Sequence, residues 1–339
     1  MMKNVTIKDI AKAANVSDAT VSRALSGSTE IREETRRRVL EVCKEMGYTI
    51  NYIARSMVTR KTKLLGLIVA NIDNPFMSEM AYHIETHARE HGYNLMLCNS
   101  SHDLDLERDV FELLVGRQVD GIILVSSGSE SYKNLRSQIS KVPTVFVSDN
   151  LRDLPGSYVS VDNYSGTHTG TEYLYSLGHR RILYFGLRKG SVTHQLRAEG
   201  YLDACRELGI EPNVYNSTYS YSSIQAGYEM ARKIFANPLP YSAIFAATDS
   251  LALGAYEAAE EANIRIPEDL SLMGFDDILY ADLPRIHLTT IEQPKKAMAA
   301  AAVSILLEML TDETSGYFHR ILMPKLIVRS SCRDISNGS

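Results

Sequence analysis

The sequence predicts an N-terminal all-α helix-turn-helix domain followed by a larger α/β core in two lobes, each built on a parallel sheet. Three observations carry this expectation. Charge is divided: residues 1–63 hold 13 Lys and Arg against 7 Asp and Glu, whereas the remainder holds 23 against 34, within an overall charge of −5. A basic head on an acidic body is the signature of a small polyanion-binding module joined to an unrelated domain. The first 46 residues read as short, separately capped helices. From Leu64 onward, apolar strand runs alternate with helical stretches, and the pattern restarts after Asp162.

In the head, Thr6-Ile7-Lys8-Asp9 has the Ser/Thr-x-x-acid spacing of a capped helix start, and Ile7, Ile10, Ala11 and Ala14 then share one face. Asn15-Val16-Ser17 breaks the helix: Asn tolerates a left-handed turn, Val16 plugs the core and Ser17 caps the second helix. That helix is short, from Asp18 to about Leu25, with Val21, Ala24 and Leu25 inward, and Ser26-Gly27-Ser28 stops it. A third, roughly 33–46, points Val39, Leu40, Cys43 and Met46 back at the first two. Two short helices in a tight turn, braced by a third, make a helix-turn-helix, whose second helix enters the DNA major groove. Its outward positions are Asp18, Ala19, Thr20, Ser22 and Arg23. Arg23 matches guanine O6 and N7, Thr20 and Ser22 suit phosphate oxygens, and Ala19 suits a thymine methyl. Asp18 either accepts from cytosine N4 or, the favoured reading, complements the helix N-terminus.

The next stretch, "TINYIARSMVTRKTK", is basic and only mildly apolar, with Asn51 placed to cap a helix too short to stand alone in water. In the body, "LLGLIVAN", "NLMLCNS", "GIILVSS" and "TVFVSD" alternate with helices near 75–91, 104–117 and 131–140. After Asp162 come a helix to Leu177, "RILYFGL", helices 194–208 and 223–236, "AIFAATD", helix 250–262 and "LSLMGF". Open α/β sheets bind ligands at the carboxyl ends of their strands, so the cleft between two such halves is the expected ligand site.

Composition removes several function classes. Cys43, Cys98, Cys205 and Cys332 lie far apart and form no CxxC, which argues against a disulfide framework or a metal site. No apolar run reaches the roughly 18 residues of a membrane span, and the first residues lack a signal peptide's apolar core, so the expected location is the cytoplasm. Neither GxGxxG nor GxxxxGK[ST] follows a strand. His83 and His87 share a helix side without the Glu of a zinc protease, and the carboxylates of "GFDD" have no second acidic cluster. The chain is therefore not expected to be an enzyme or to need a cofactor or metal.

"TIKDIAKAANVSDATVSRALSG", "EETRRRVLEVCKEMGY" and "NYIARSM" together resemble the N-terminus of the LacI/GalR family of bacterial transcriptional repressors. "NIDNPF", "YVSVDNYSG", "YLYSLGHRRILYFG", "LRAEGYLDAC", "FAATDSLALGAYEAA", "EDLSLMGFDDI", "LTTIEQP" and "LMPKLIVRSSC" continue the likeness over nearly the whole chain. The resemblance implies a periplasmic-binding-protein-like core whose chain passes between lobes three times, near 162, 290 and 322. It divides the chain into a DNA-binding domain (1–49), a hinge helix and linker (50–63), an N-lobe (64–162 and 291–321) and a C-lobe (163–290 and 322–339). It also implies a hinge helix that folds on DNA and wedges the minor groove. Met57 takes the wedge position, and Asn51, Tyr52, Ala54 and Arg55 join Thr6, Ser17 and the second-helix residues as DNA contacts. Ile50 and Tyr52 depart from the family's usual proline and small residue.

For the cleft, the resemblance implies effector contacts from Arg197 of "LRAEGY", which fits vicinal hydroxyls or a carboxylate, and from Asp276 of "GFDD". Asn74 and Phe76 of "NPF", Tyr221, Thr248 and Asp249 join them. Phe76 and Tyr221 serve equally well as core packing. Thr248 replaces a usual asparagine, and Ser148 stands where an acid is usual, with Asp149 displaced by one. The implied function is a sequence-specific transcriptional regulator, a repressor, working as a homodimer on palindromic operator DNA under control of a small effector, a sugar or sugar derivative. The alternative is a solute-binding receptor of the same fold without a DNA role, which would need secretion and leaves the helix-turn-helix without a purpose.

Overall fold

In the computed structural model of the chain, the described residues are 5–26, 30–48, 61–125, 130–148, 155–187, 191–311 and 316–336. The chain divides into two compact units, 1–62 and 63–339.

The first unit contains α1 (Ile7–Ala13), α2 (Asp18–Ser26) and α3 (Glu33–Glu45). Thr6 caps α1 through a reciprocal capping box: Asp9 N donates to Thr6 Oγ1 at 3.4 Å while Thr6 N donates to Asp9 Oδ2 at 2.9 Å. Asn15 turns the chain with φ +52°, and Ser17 Oγ accepts from Thr20 N at 3.1 Å to open α2. Ile10, Ala11, Ala14, Val21, Ala24, Val39 and Cys43 form the core. Leu40 and Met46, expected inside, are exposed. The inward stripe of α3 is Val39-Val42-Cys43, and Leu40 lies about 100° round the helix from Val39.

The second unit carries two six-stranded sheets of matching order. The first contains β1 (Leu64–Val69), β2 (Asn94–Asn99), β3 (Gly121–Val125), β4 (Thr144–Val147), β5 (Ser157–Val161) and β11 (His319–Leu322), ordered β11-β5-β4-β3-β1-β2. Around it lie α4 (Pro75–Glu90), α5 (Leu104–Gly116), α6 (Glu130–Leu135) and α11 (Lys295–Thr311). The second sheet contains β6 (Ile182–Leu187), β7 (Asn213–Asn216), β8 (Ala243–Ala246), β9 (Ser271–Asp276), β10 (Thr289–Glu292) and β12 (Lys325–Ile327), ordered β12-β10-β9-β8-β6-β7. It packs with α7 (Asn163–Ser176), α8 (Val192–Leu208), α9 (Ile224–Phe235) and α10 (Asp249–Glu261). Pairings within both sheets are parallel except β10 with β12. Central strands such as β1 and β3 are almost wholly buried, as sheets covered on both faces require. Helices α9 and α10 touch backbone to backbone: a Cβ on Gly254 would collide with the Ile224 carbonyl oxygen.

The chain leaves the first lobe after β5, returns after β10 and leaves again after β11. Ile291 and Glu292 still pair with β9, so the middle passage falls beyond them, slightly later than the 290 expected. Leu322 likewise pairs with Val161 in the first lobe. The helix expected over 131–140 is broken into α6 and a 3₁₀ turn at Ile139–Lys141.

Candidate nucleic-acid interface and effector cleft

On α2, Ser17, Asp18, Ala19, Ser22 and Arg23 are exposed and Thr20 is half-buried, while Val21 and Ala24 pack inward. The helix therefore offers one continuous polar face. The hydroxyls at the starts of α1 and α2 are held in place: Ser17 Oγ and Thr20 Oγ1 lie 2.8 Å apart, and Thr6 Oγ1 donates to Asp9 Oδ2 at 2.7 Å. Arg23 Nε lies 3.6 Å from Glu30 Oε2, with both side chains well exposed. Such a pair in water adds little stability and parts readily for a better partner. Asn51, Tyr52, Ala54, Arg55 and Met57, the expected hinge contacts, lie outside the described residues, as does Asp149.

The cleft lies between the two sheets, where strands of both lobes end. Asn74, Phe76, Ser148, Arg197, Thr248 and Asp276 come together around a small cavity of ≈ 80 Å³, joined by Met77, His102, Ser191, Thr193, His194, Ser222 and Gln293. Each lies at the end of a strand, in the connection that follows it or in the first turns of the next helix. The signal for the unexpected ones, Gln293 of "LTTIEQP" apart, was therefore their position rather than a motif.

Arg197 is 3% exposed, and its Cζ lies over the Phe275 ring, 3.6 Å from the centroid. Its Nε donates to Asn163 Oδ1 (2.8 Å), Nη1 to Ala247 O (2.6 Å) and Nη2 to Asp276 Oδ1 (3.4 Å). Three of five donors are so used among the described residues. Asp276 Oδ1 also accepts from Gln293 Nε2 at 2.6 Å, so both bonds to its carboxylate fall on one oxygen. Burial raises the Asp276 pKa, opposed chiefly by Arg197. A guanidinium fork beside a carboxylate oxygen presents a donor and an acceptor at one spot, the complement of two adjacent hydroxyls.

The other expected residues have supporting positions. Asn74 caps α4, its Oδ1 accepting from Phe76 N at 3.0 Å and Met77 N at 3.4 Å. Thr248 caps α10 through Leu251 N at 3.3 Å. Asp249 is fully buried and is not among the residues around the cavity: its Oδ1 accepts from Thr290 Oγ1 (2.6 Å) and its Oδ2 from Ile278 N (2.9 Å). It fits because residue 274 is glycine, since a Cβ there would collide with Asp249 Oδ1. Ser148 has φ +68°, its carbonyl accepts from Thr193 Oγ1 of the other lobe at 2.9 Å, and its own buried Oγ has no partner among the described residues. Tyr221 is not around the cavity either; it stacks on His102 with ring centroids 4.6 Å apart and planes at 7°, one ring from each lobe. Elsewhere, His87 Nδ1 pairs with Glu90 at 2.8 Å. Among the described residues, no helix is long and apolar enough to cross a membrane.

Comparison with known proteins agrees with this fold. Residues 6–51 match the domain described as bacterial regulatory proteins, lacI family, and residues 171–332 match the periplasmic binding protein-like domain. The chain is 30% identical over 329 residues to the HTH-type transcriptional repressor PurR of Pasteurella multocida, covering 97% of this chain and 98% of that one. It is 32% identical over 327 residues to the ribose operon repressor of Haemophilus influenzae, covering 96% and 98%. A crystal structure of the lac repressor dimer bound to operator and the anti-inducer ONPF superposes with a TM-score of 0.86 at 23% identity, over 98% of this chain and 100% of that chain. The chain thus belongs to the lacI family of bacterial regulatory proteins, and is a DNA-binding transcriptional regulator rather than an enzyme.

Proposed function

We propose that this regulator acts as a cytoplasmic repressor, binding a palindromic operator as a homodimer whose grip is set by a neutral sugar held between the lobes. The observation that carries the reading is the Arg197–Asp276 pair, a buried donor fork and acceptor oxygen in a cleft rich in hydroxyls. The ribose operon repressor, named for a sugar operon, supports the choice of class. Arg197 already faces Asp276, so a phosphate entering there would compete with that carboxylate for the guanidinium. Phe76 supplies an apolar face, and Ser148 and Thr248 supply hydroxyls. Asn74 lines the wall, Asp249 braces Thr290 and Ile278 behind it, and Tyr221 stacks on the lining residue His102.

On the DNA side, Arg23 leaves Glu30 to read guanine, Thr20 and Ser22 meet phosphates, and Ala19 meets a thymine methyl. Ser17 and Thr6 hold the helix starts, Asp18 complements the N-terminus of α2, and Asn51, Tyr52, Ala54, Arg55 and Met57 follow into the minor groove. Self-association is supported by exposed Ile224, Tyr280 and Leu283 beside an apolar groove of ≈ 650 Å³ on the second lobe. Thermal unfolding of the full chain with free pentoses and hexoses, their phosphate esters and purine bases tests the effector. At least one free sugar should raise the Tm while its phosphate ester does not. Stabilisation by phosphate esters or purines alone would overturn the neutral-sugar reading.

A further inference from the structure

The lobes are also joined beside the cavity, by two side chains of the first lobe acting on the backbone of the second. Lys295, the first residue of α11, is 8% exposed. Its Nζ donates to Asp276 O at 3.0 Å and Asp277 O at 2.5 Å, and lies 3.5 Å from Glu79 Oε2. An ammonium has three protons, and three oxygens lie within 3.5 Å of this one. Glu79, on α4, spends its other oxygen on the same turn: Oε1 accepts from Leu279 N at 2.9 Å. Two first-lobe side chains thereby hold residues 276–279 by main-chain atoms alone.

That main chain leaves β9 in an unusual form, with φ +127° at Asp276 and +50° at Asp277. Non-glycine residues persist there only where their surroundings over-determine them. A buried ion pair is a poor way to add stability, because well-packed apolar side chains usually fill the same space as well or better. What it supplies is geometry: a point charge aimed at two carbonyls and a carboxylate aimed at one amide.

We propose that Glu79 and Lys295 form a clasp that sets the angle between the lobes by gripping turn 276–279, so that the Asp276 carboxylate and the first lobe move together. The link to the effector rests on Asp276 being its partner, as argued above; the clasp itself does not. Both are positioning residues, because neither reaches the cavity.

The test is single-molecule energy transfer on the full chain, without added ligand. Fluorophores sit on azide-bearing residues at positions 112 and 233, in place of exposed Glu112 and Lys233 of opposite lobes, with labelled chain diluted in excess unlabelled chain. Wild type should show one dominant efficiency. Lys295→Met and Glu79→Ala should each add a second population of roughly a tenth of molecules or more. Glu79→Gln keeps an acceptor for the Leu279 amide while dropping the ion pair, and should fall between. Unchanged distributions in both disruptive variants, whatever their Tm, would overturn the clasp. If Lys295→Met fails to fold, Glu79→Ala decides, since that side chain is 25% exposed. Because no sugar is present, such a failure leaves the effector reading to its own test.

Discussion

Replacing Asp249 by asparagine should change how stability depends on pH, in a direction fixed by the site. Burial first, and then the neighbouring Asp276 carboxylate, push its pKa from 3.8 up to about 7, against the bonds from Thr290 and Ile278 that favour the charged form. A group whose pKa is raised on folding binds its proton more tightly in the native state. Its stabilising contribution is complete below the unfolded pKa and is lost as pH rises through the folded one. Each tenfold difference in proton affinity corresponds to about 1.4 kcal/mol, so between about pH 5 and pH 8 wild type should lose about 2–3 kcal/mol that the variant keeps. The asparagine of Asp249→Asn can still accept from Ile278 N through Oδ1, and the Thr290 hydroxyl can turn to accept from the new amide. Urea unfolding of both proteins across this range, read as the difference between them, measures the effect. Parallel profiles would refute the reasoning. So would a wild type that gains on the variant as pH rises, because Asp249 would then be held charged.

Arg23→Ala should weaken binding to a duplex selected by the wild-type chain by about 1–3 kcal/mol. Binding to random duplex should fall much less, as competition anisotropy at fixed salt would show; equal losses would make Arg23 a backbone contact only. Removing residues 1–62 should abolish DNA binding while leaving the sugar-dependent rise in Tm; residual binding to the selected duplex would break that division of labour.

The head was legible because its stops and starts are written in single residues with strong local preferences: Thr6 with Asp9, Asn15, and Ser17. The lobes were legible from long apolar runs such as Leu64–Val69, which only a sheet covered on both faces buries. Short edge strands escaped notice: β7, Asn213–Asn216, is half-exposed and has no periodicity to betray it. Arg197 and Asp276 could be placed in the cleft by family resemblance, but their partners could not. Gln293 and Asn163 lie within the stretches "LTTIEQP" and "YVSVDNYSG", but nothing in those stretches says what they bind. They are brought to Asp276 and Arg197 across 17 and 34 positions by the chain's passages through the sheets. The clasp was invisible for a stronger reason: Lys295 recognises carbonyls, and the strained turn that aims them is a tertiary fact with no sequence signature.

The proposed division between a DNA-reading head and a sugar-reading body is tested most directly by titrating full-length protein onto its selected palindromic duplex, with and without the sugar that raises its Tm. Anisotropy should give two protomers per duplex and a Kd that changes about tenfold or more when the sugar is added. One protomer per duplex, or a Kd indifferent to the sugar, would contradict the account.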